Sequence, residues 1–187
     1  IWQEDADDNI IFQYIGDSEI KKDDIYGGFS ISIEGKLENV RQRFDIDLAT
    51  ADIVCPYDCD YEYECLITRE IIRLKSYSIE SVVAEKMQTF LLKGVINSRT
   101  KDLYDLYILE KFIGKNDKFL KETFIKTCEN RKFEINNEKA MNTLKSVKSN
   151  MIQRKRWETY AKKMSYAKEV SFDDIISSIN HLLEILI

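Results

Sequence analysis

Residues 77–109 read YSIESVVAEKMQTFLLKGVINSRTKDLYDLYIL, two helical patterns joined by a short polar turn, Gly94 to Ser98. At about 100° per residue, Ile79, Val82, Val83, Met87 and Phe90 form one apolar stripe, and Lys86 falls in its middle. The second pattern repeats the anomaly. Leu106, Ile108, Leu109, Phe112 and Ile113 make the stripe, and Asp102 and Asp105 lie inside it. Glu85, Glu110 and Lys111 fall outside both stripes, where surface charges belong. Burying an unpaired ammonium or carboxylate is costly, so Lys86 is expected to meet Asp102 or Asp105 across the helix pair. A purely structural explanation competes with a functional one. Asp102 stands within the first turn of its helix, where the macrodipole favours a carboxylate, and Lys86 can snorkel from the core edge. Three charges in two adjacent helices, with Arg99 and Lys101 at the turn, favour a site.

Working outward, composition sets the class. The chain has 187 residues, 44% hydrophobic and 33% charged, enough for one domain with a real core or for one domain plus a helical extension. A net charge of −5 argues against a surface that is a nucleic-acid footprint throughout, although a local basic patch is compatible with it. No run approaches the roughly 20 apolar residues of a membrane span, and the first residues lack a signal-peptide pattern, so a cytoplasmic location is expected. Cys55, Cys59, Cys65 and Cys128 form no Cys-x-x-Cys pair, and the lone histidine, His181, is distant in a C-terminal amphipathic pattern. Zinc ligation and a Cys–His nucleophile are therefore disfavoured, and the cysteines are read as free thiols.

Before the helix pair the pattern has period two. Residues 9–15 and 26–33 read as strands, with Phe29, Ile31 and Ile33 alternating in the second. A turn is expected at Glu34-Gly35-Lys36, with residues 37–46 as the return strand of a long hairpin running on to Leu48. Asp45 and Asp47 lie on that strand, with only one of the two expected to face a given side. Gly27-Gly28 followed by Asp45-x-Asp47 imitates a nucleotidyltransferase first motif, but that motif needs a helix between turn and carboxylates, and FSISIEG alternates as a strand does. Residues 52–65, with the only proline and many acids, read as a loop, and residues 70–75 as one more short strand.

Beyond Gly114 the chain reads as helical. Residues 117–129, 138–149 and 172–187 carry apolar residues at helical spacing. Lys145, Lys148, Arg154, Lys155, Arg156, Lys162, Lys163 and Lys168 make a basic stretch interleaved with Trp157, Tyr160 and Tyr166. Such a stretch can hold a phosphate backbone and stack an unpaired base, or can simply be a solvated helix face.

Residues 78–106, SIESVVAEKMQTFLLKGVINSRTKDLYDL, resemble the lysine-bearing and Arg-x-Lys-Asp-x-x-Asp motifs of the nucleotidyltransferase AbiEii toxin family, toxins of bacterial abortive-infection and type IV toxin–antitoxin systems. The likeness continues at pattern level through residues 33–54, through TFIKTCENR (123–131) and through Trp157-Glu158-Thr159-Tyr160. It implies a nucleotidyltransferase fold followed by a helical domain, and magnesium-dependent transfer of a nucleotide from an NTP to an acceptor, tRNA in several members. Under it Lys86 contacts nucleotide phosphates, with Arg99 and Lys101 beside it, and Asp102 and Asp105 hold Lys86 or the metal-bound nucleotide. Asp47 takes the place of the strand-borne carboxylate that binds metal, with Asp45 as the lesser candidate. A cognate antitoxin and a role in phage defence are implied too. The family's first motif, a Gly-Ser or Gly-Gly turn with Asp-x-Asp, has no counterpart here, so the chain is expected to be either the C-terminal part of a longer enzyme, the favoured alternative, inactive on its own, or a remnant that does not catalyse.

The fold expected is α+β: a mostly antiparallel sheet in residues 1–76, a motif-bearing helix pair in 77–114 and a helical domain in 115–187. The leading functional expectation is nucleotidyl transfer to RNA or protein. The rivals are a non-catalytic module binding RNA or the antitoxin, and a structural domain in which Lys86 pairs with Asp105 for fold specificity alone.

Overall fold

The computed structural model describes residues 9–20, 27–49, 58–114 and 117–187. Antiparallel strands come first and six α-helices follow, the α+β order expected. By internal contacts the chain divides into two compact units, Ile1–Asp52 and Ile53–Ile187.

In the first unit β1 (Ile11–Ile20), β2 (Gly28–Leu37) and β3 (Val40–Ala49) form an antiparallel sheet in the order β1-β2-β3. The alternation of the sequence becomes a two-faced sheet. Phe29, Ile31, Ile33 and Leu37 stand opposite Leu48, Ile46, Phe44 and Val40, giving one apolar face. Ser30, Ser32, Glu34 and Lys36 stand opposite Asp47, Asp45, Arg43 and Arg41 on the other. The hairpin turns at residues 38–39, with Leu37 paired to Val40, and not at Glu34-Gly35-Lys36 as the sequence suggested. Glu38 takes a φ of 50°, the positive value a two-residue hairpin turn needs. Gly35 has a different use. A Cβ there would lie 3.3 Å from Phe12 Cε1, so its absence lets the Phe12 ring lie across β2 and meet Phe44 edge-on, centroids 6.2 Å apart.

The second unit's described residues open with β4 (Asp58–Glu64) and β5 (Ile71–Tyr77), an antiparallel hairpin. This corrects the loop expected over residues 52–65: residues 58–64 are strand, and 52–57 lie outside the described residues. The acids that resembled a solvated loop are matched across the ladder. Lys75 reaches Asp58 and Asp60 at 3.1 and 2.7 Å, Arg73 reaches Glu62 at 3.2 Å and Arg69 reaches Glu64 at 3.1 Å.

The helices are α1 (Ile79–Lys93), α2 (Thr100–Glu110), α3 (Lys118–Asn130), α4 (Asn137–Ser149), α5 (Met151–Lys163) and α6 (Phe172–Leu186). Side chains of Ser78, Asp117, Asn136, Asn150 and Ser171 cap the backbone N–H groups that open α1, α3, α4, α5 and α6. α2 differs: its N-cap residue, Arg99, makes no such bond. α1 packs on α3 and α2 on α6, burying Val83, Met87, Phe90, Leu106, Leu120, Ile175, Ile179 and Leu182 in one core. Two stripe assignments need correcting. Phe112 lies beyond the end of α2 and is 68% exposed, because the helical projection stops applying there; Leu103 takes its place in the core. Ile79, at the first turn of α1, is also exposed. None of the described helices is long and apolar enough to cross a membrane.

Candidate active site

α1 and α2 bring the three stripe charges together. Lys86 Nζ lies 2.5 Å from Asp102 Oδ1 and 2.9 Å from Asp105 Oδ2, so the lysine meets both carboxylates and not one. The spacing explains it: Asp102 and Asp105 are three residues apart on one face of α2, and the ammonium spans the turn between them. All three side chains are about four-fifths buried, with 21%, 18% and 26% of their surface exposed. An ammonium has three N–H donors, and among the described residues two are taken, by Asp102 and Asp105. Burial alone pushes the Lys86 ammonium toward losing its proton, but the hydrogen bonds it donates to both carboxylates and their attraction together outweigh it, and its pKa ends above the ordinary lysine range. Arg99 lies at the rim, 3.9 Å from Asp102 Oδ2 and 55% exposed. Lys101 is exposed on the first turn of α2.

The turn carrying this geometry is clamped from α5. The side-chain amide of Gln153, itself buried, donates to the carbonyls of Val95 at 2.6 Å and Asn97 at 2.8 Å. Arg156 donates to the same Asn97 carbonyl at 3.0 Å, and the Asn97 side chain accepts from the Arg99 N–H at 3.0 Å. Gly94 opens the turn with a φ of 48°, a conformation that glycine adopts without strain. The basic stretch thus contributes Arg156 to fixing the helix crossing. Trp157, grouped in sequence with stacking aromatics, is 1% exposed and donates its indole N–H to the Val170 carbonyl. It is core.

Two of the charges assigned to the surface have partners in the fold. Glu110 accepts from His181 of α6, which explains an otherwise isolated histidine, and Glu85 pairs with Arg131, the residue that ends α3, at 3.2 Å. Arg131 also donates to the buried Gln88 at 3.0 Å.

Asp45 and Asp47 lie on β3, in the other unit. Being two residues apart they share one face, where the sequence reading had allowed only one of them per side. Each accepts from a serine opposite: Ser32 to Asp45 at 2.5 Å and Ser30 to Asp47 at 2.6 Å. Glu34, on the same face, is 8% exposed and held by Arg41 and Arg43 at 3.5 and 3.2 Å; nothing in its local sequence marked it. Two exposed carboxylates on one face are a donor set that suits magnesium, which is commonly held by one or two carboxylates with water and phosphate oxygens completing its shell.

The helix pair thus presents a fixed, protonated lysine with a donor to spare beside exposed cations, an arrangement suited to a phosphorylated ligand, on an α+β scaffold. A family model described as nucleotidyl transferase AbiEii toxin, type IV toxin–antitoxin system, matches residues 4–178. The chain belongs to that family. The family is one of nucleotidyltransferase toxins of type IV toxin–antitoxin systems, a class that implies an antitoxin partner. No curated protein and no solved structure matches it.

Proposed function

We propose that this chain, by itself or as part of a longer enzyme, transfers a nucleotide from an NTP to an RNA, tRNA included, or to a protein acceptor, with Lys86 holding the triphosphate. In such a transfer an acceptor hydroxyl attacks the α-phosphorus, the bond to the β-phosphate breaks and pyrophosphate leaves, so negative charge grows on the leaving group. A cation held in place before the reaction stabilises that charge without having to reorganise. Lys86 meets the requirement: Asp102 and Asp105 keep it protonated and aimed, and one N–H remains for a phosphate oxygen. Arg99 and Lys101 add charge at the rim that can draw the ligand in. Asp47 and Asp45, in the other unit, are the residues that would hold magnesium, an ion whose chemistry is charge neutralisation.

The observation that carries this reading is the Lys86 ammonium suspended between two carboxylates in a fold of this family. Incubation with α-labelled NTP, magnesium and either RNA or the antitoxin tests it. Label should move to an acceptor with the wild-type chain and not with Lys86→Met. A second reading, a non-catalytic module binding RNA or the antitoxin, is favoured by the exposed basic residues Lys155, Lys162, Lys163 and Lys168. RNA retention without any label transfer, lost on charge reversal of those lysines, would select it.

A further inference from the structure

Next to the ion cluster, Tyr104 of α2, Tyr160 of α5 and Tyr166 of the 3-10 turn Ser165–Ala167 meet in one aromatic group. The rings of Tyr104 and Tyr166 are 4.9 Å apart and those of Tyr160 and Tyr166 6.4 Å. Hydrogen bonds fix them: the Tyr160 and Tyr166 hydroxyls are 2.8 Å apart, and the Tyr104 hydroxyl donates to the Tyr166 carbonyl at 3.2 Å. Trp157 backs the group, its ring 17° from parallel to that of Tyr104. The group shares α2 with the candidate site, Tyr104 lying between Asp102 and Asp105 along that helix. Burial first, then the bond to Tyr166, holds the Tyr160 hydroxyl far above its ordinary range, so it stays protonated.

The exposures separate support from surface. Trp157 is 1% exposed, whereas Tyr166 is 53% exposed although its ring is oriented by two neighbours. An aromatic serving only the core would be covered; a ring held in orientation with half its surface in water is ready to stack. Lys162, Lys163 and Lys168 flank it in sequence, are exposed, and form no ion pair with another described residue. Lysines alone would attract any polyanion, and a tyrosine alone any flat apolar group. Together they select a flat ring joined to phosphate, which is a nucleotide.

We propose that Tyr166, supported by Tyr104 and Tyr160, is a stacking platform for a nucleobase beside Lys86. This rests on Lys86 binding phosphate, and it names the part of the ligand recognised next to it. The base can come from the NTP or from an unpaired position of an acceptor strand, and the ligands distinguish the two.

The test compares wild type, Tyr166→Ala and Tyr166→Phe by calorimetric titration with inorganic triphosphate, each of the four NTPs and a short single-stranded RNA. Tyr166→Ala should weaken base-bearing ligands roughly tenfold or more, in line with the loss of one base stack, and leave triphosphate within about twofold. Tyr166→Phe, which keeps the ring, should match wild type. Loss confined to NTPs assigns the platform to the donor nucleotide, and loss confined to RNA assigns it to the acceptor. No loss with either, an equal loss with triphosphate, or an equal loss in Tyr166→Phe overturns the proposal. If Tyr166→Ala does not hold its fold by circular dichroism, Tyr166→Leu carries the same comparison. Wild type that binds RNA through Tyr166 but neither triphosphate nor NTP would remove the Lys86 reading while leaving the platform.

Discussion

Lys86 on α1 interrupts an apolar stripe whereas Asp47 on β3 follows the alternation of its strand, and the two regions treat charge in opposite ways. In the helical unit Lys86 is about four-fifths buried and is neutralised by two carboxylates from another helix. On the sheet Asp47 and Asp45 are exposed and rest on a neighbouring strand's serines. The lysine is therefore positioned by tertiary structure, and substituting it disturbs a packed crossing. The aspartates are positioned by register alone. A ligand finds one N–H of the lysine left by Asp102 and Asp105, whereas at the sheet carboxylates it competes with water and two serine hydroxyls.

Packing defines the first side of the contrast. Leu106 is 0% exposed, so Leu106→Ala should cost about 3 kcal/mol in urea denaturation, whereas Phe44→Ala, on the sheet face at 40% exposure, should cost about 1. Equal costs would mean that Phe44 is packed as closely as Leu106, against the burial contrast. The charge cluster comes next. Lys86→Ala leaves two carboxylates facing each other and should cost about 1–2 kcal/mol, between the values for exposed and buried pairs. A double-mutant cycle with Asp102→Ala should recover a large share of that cost as coupling.

The pH dependence sharpens the same point. The pKa of Lys86 is raised by folding, so its contribution is complete below the ordinary value of 10.5 and is lost as pH climbs through the higher folded value. The stability difference between wild type and Lys86→Met should stay level from about pH 6 to about pH 9 and shrink only in the alkaline range beyond. The smallest effect belongs to the sheet. Asp45→Asn and Asp47→Asn should each change stability by less than about 0.5 kcal/mol, while magnesium affinity, read by calorimetry, falls.

The helix pair was legible because a charge inside an apolar stripe is a conflict that only a partner resolves, and the partner lay one short turn away. The sheet was legible through Phe29, Ile31 and Ile33, but its turn was not, since Gly35 looks like a turn residue until Phe12 is seen lying across it. β4 was missed because the basic residues that match its acids, Arg69 before β5 and Arg73 and Lys75 on it, follow the strand and are paired with it only by the hairpin. Gln153 was invisible for a like reason: its partners are backbone carbonyls more than fifty residues away, at Val95 and Asn97. His181 found its partner, Glu110, only through the docking of α6 on α2.

The most direct test of the central claim is calorimetric titration of NTP and magnesium into wild type and Lys86→Met, with folding of both followed by circular dichroism. The account predicts binding by wild type and loss of at least about tenfold in a Lys86→Met chain that remains folded. Unchanged affinity in folded Lys86→Met would contradict it, leaving the lysine between Asp102 and Asp105 as a structural ion pair alone.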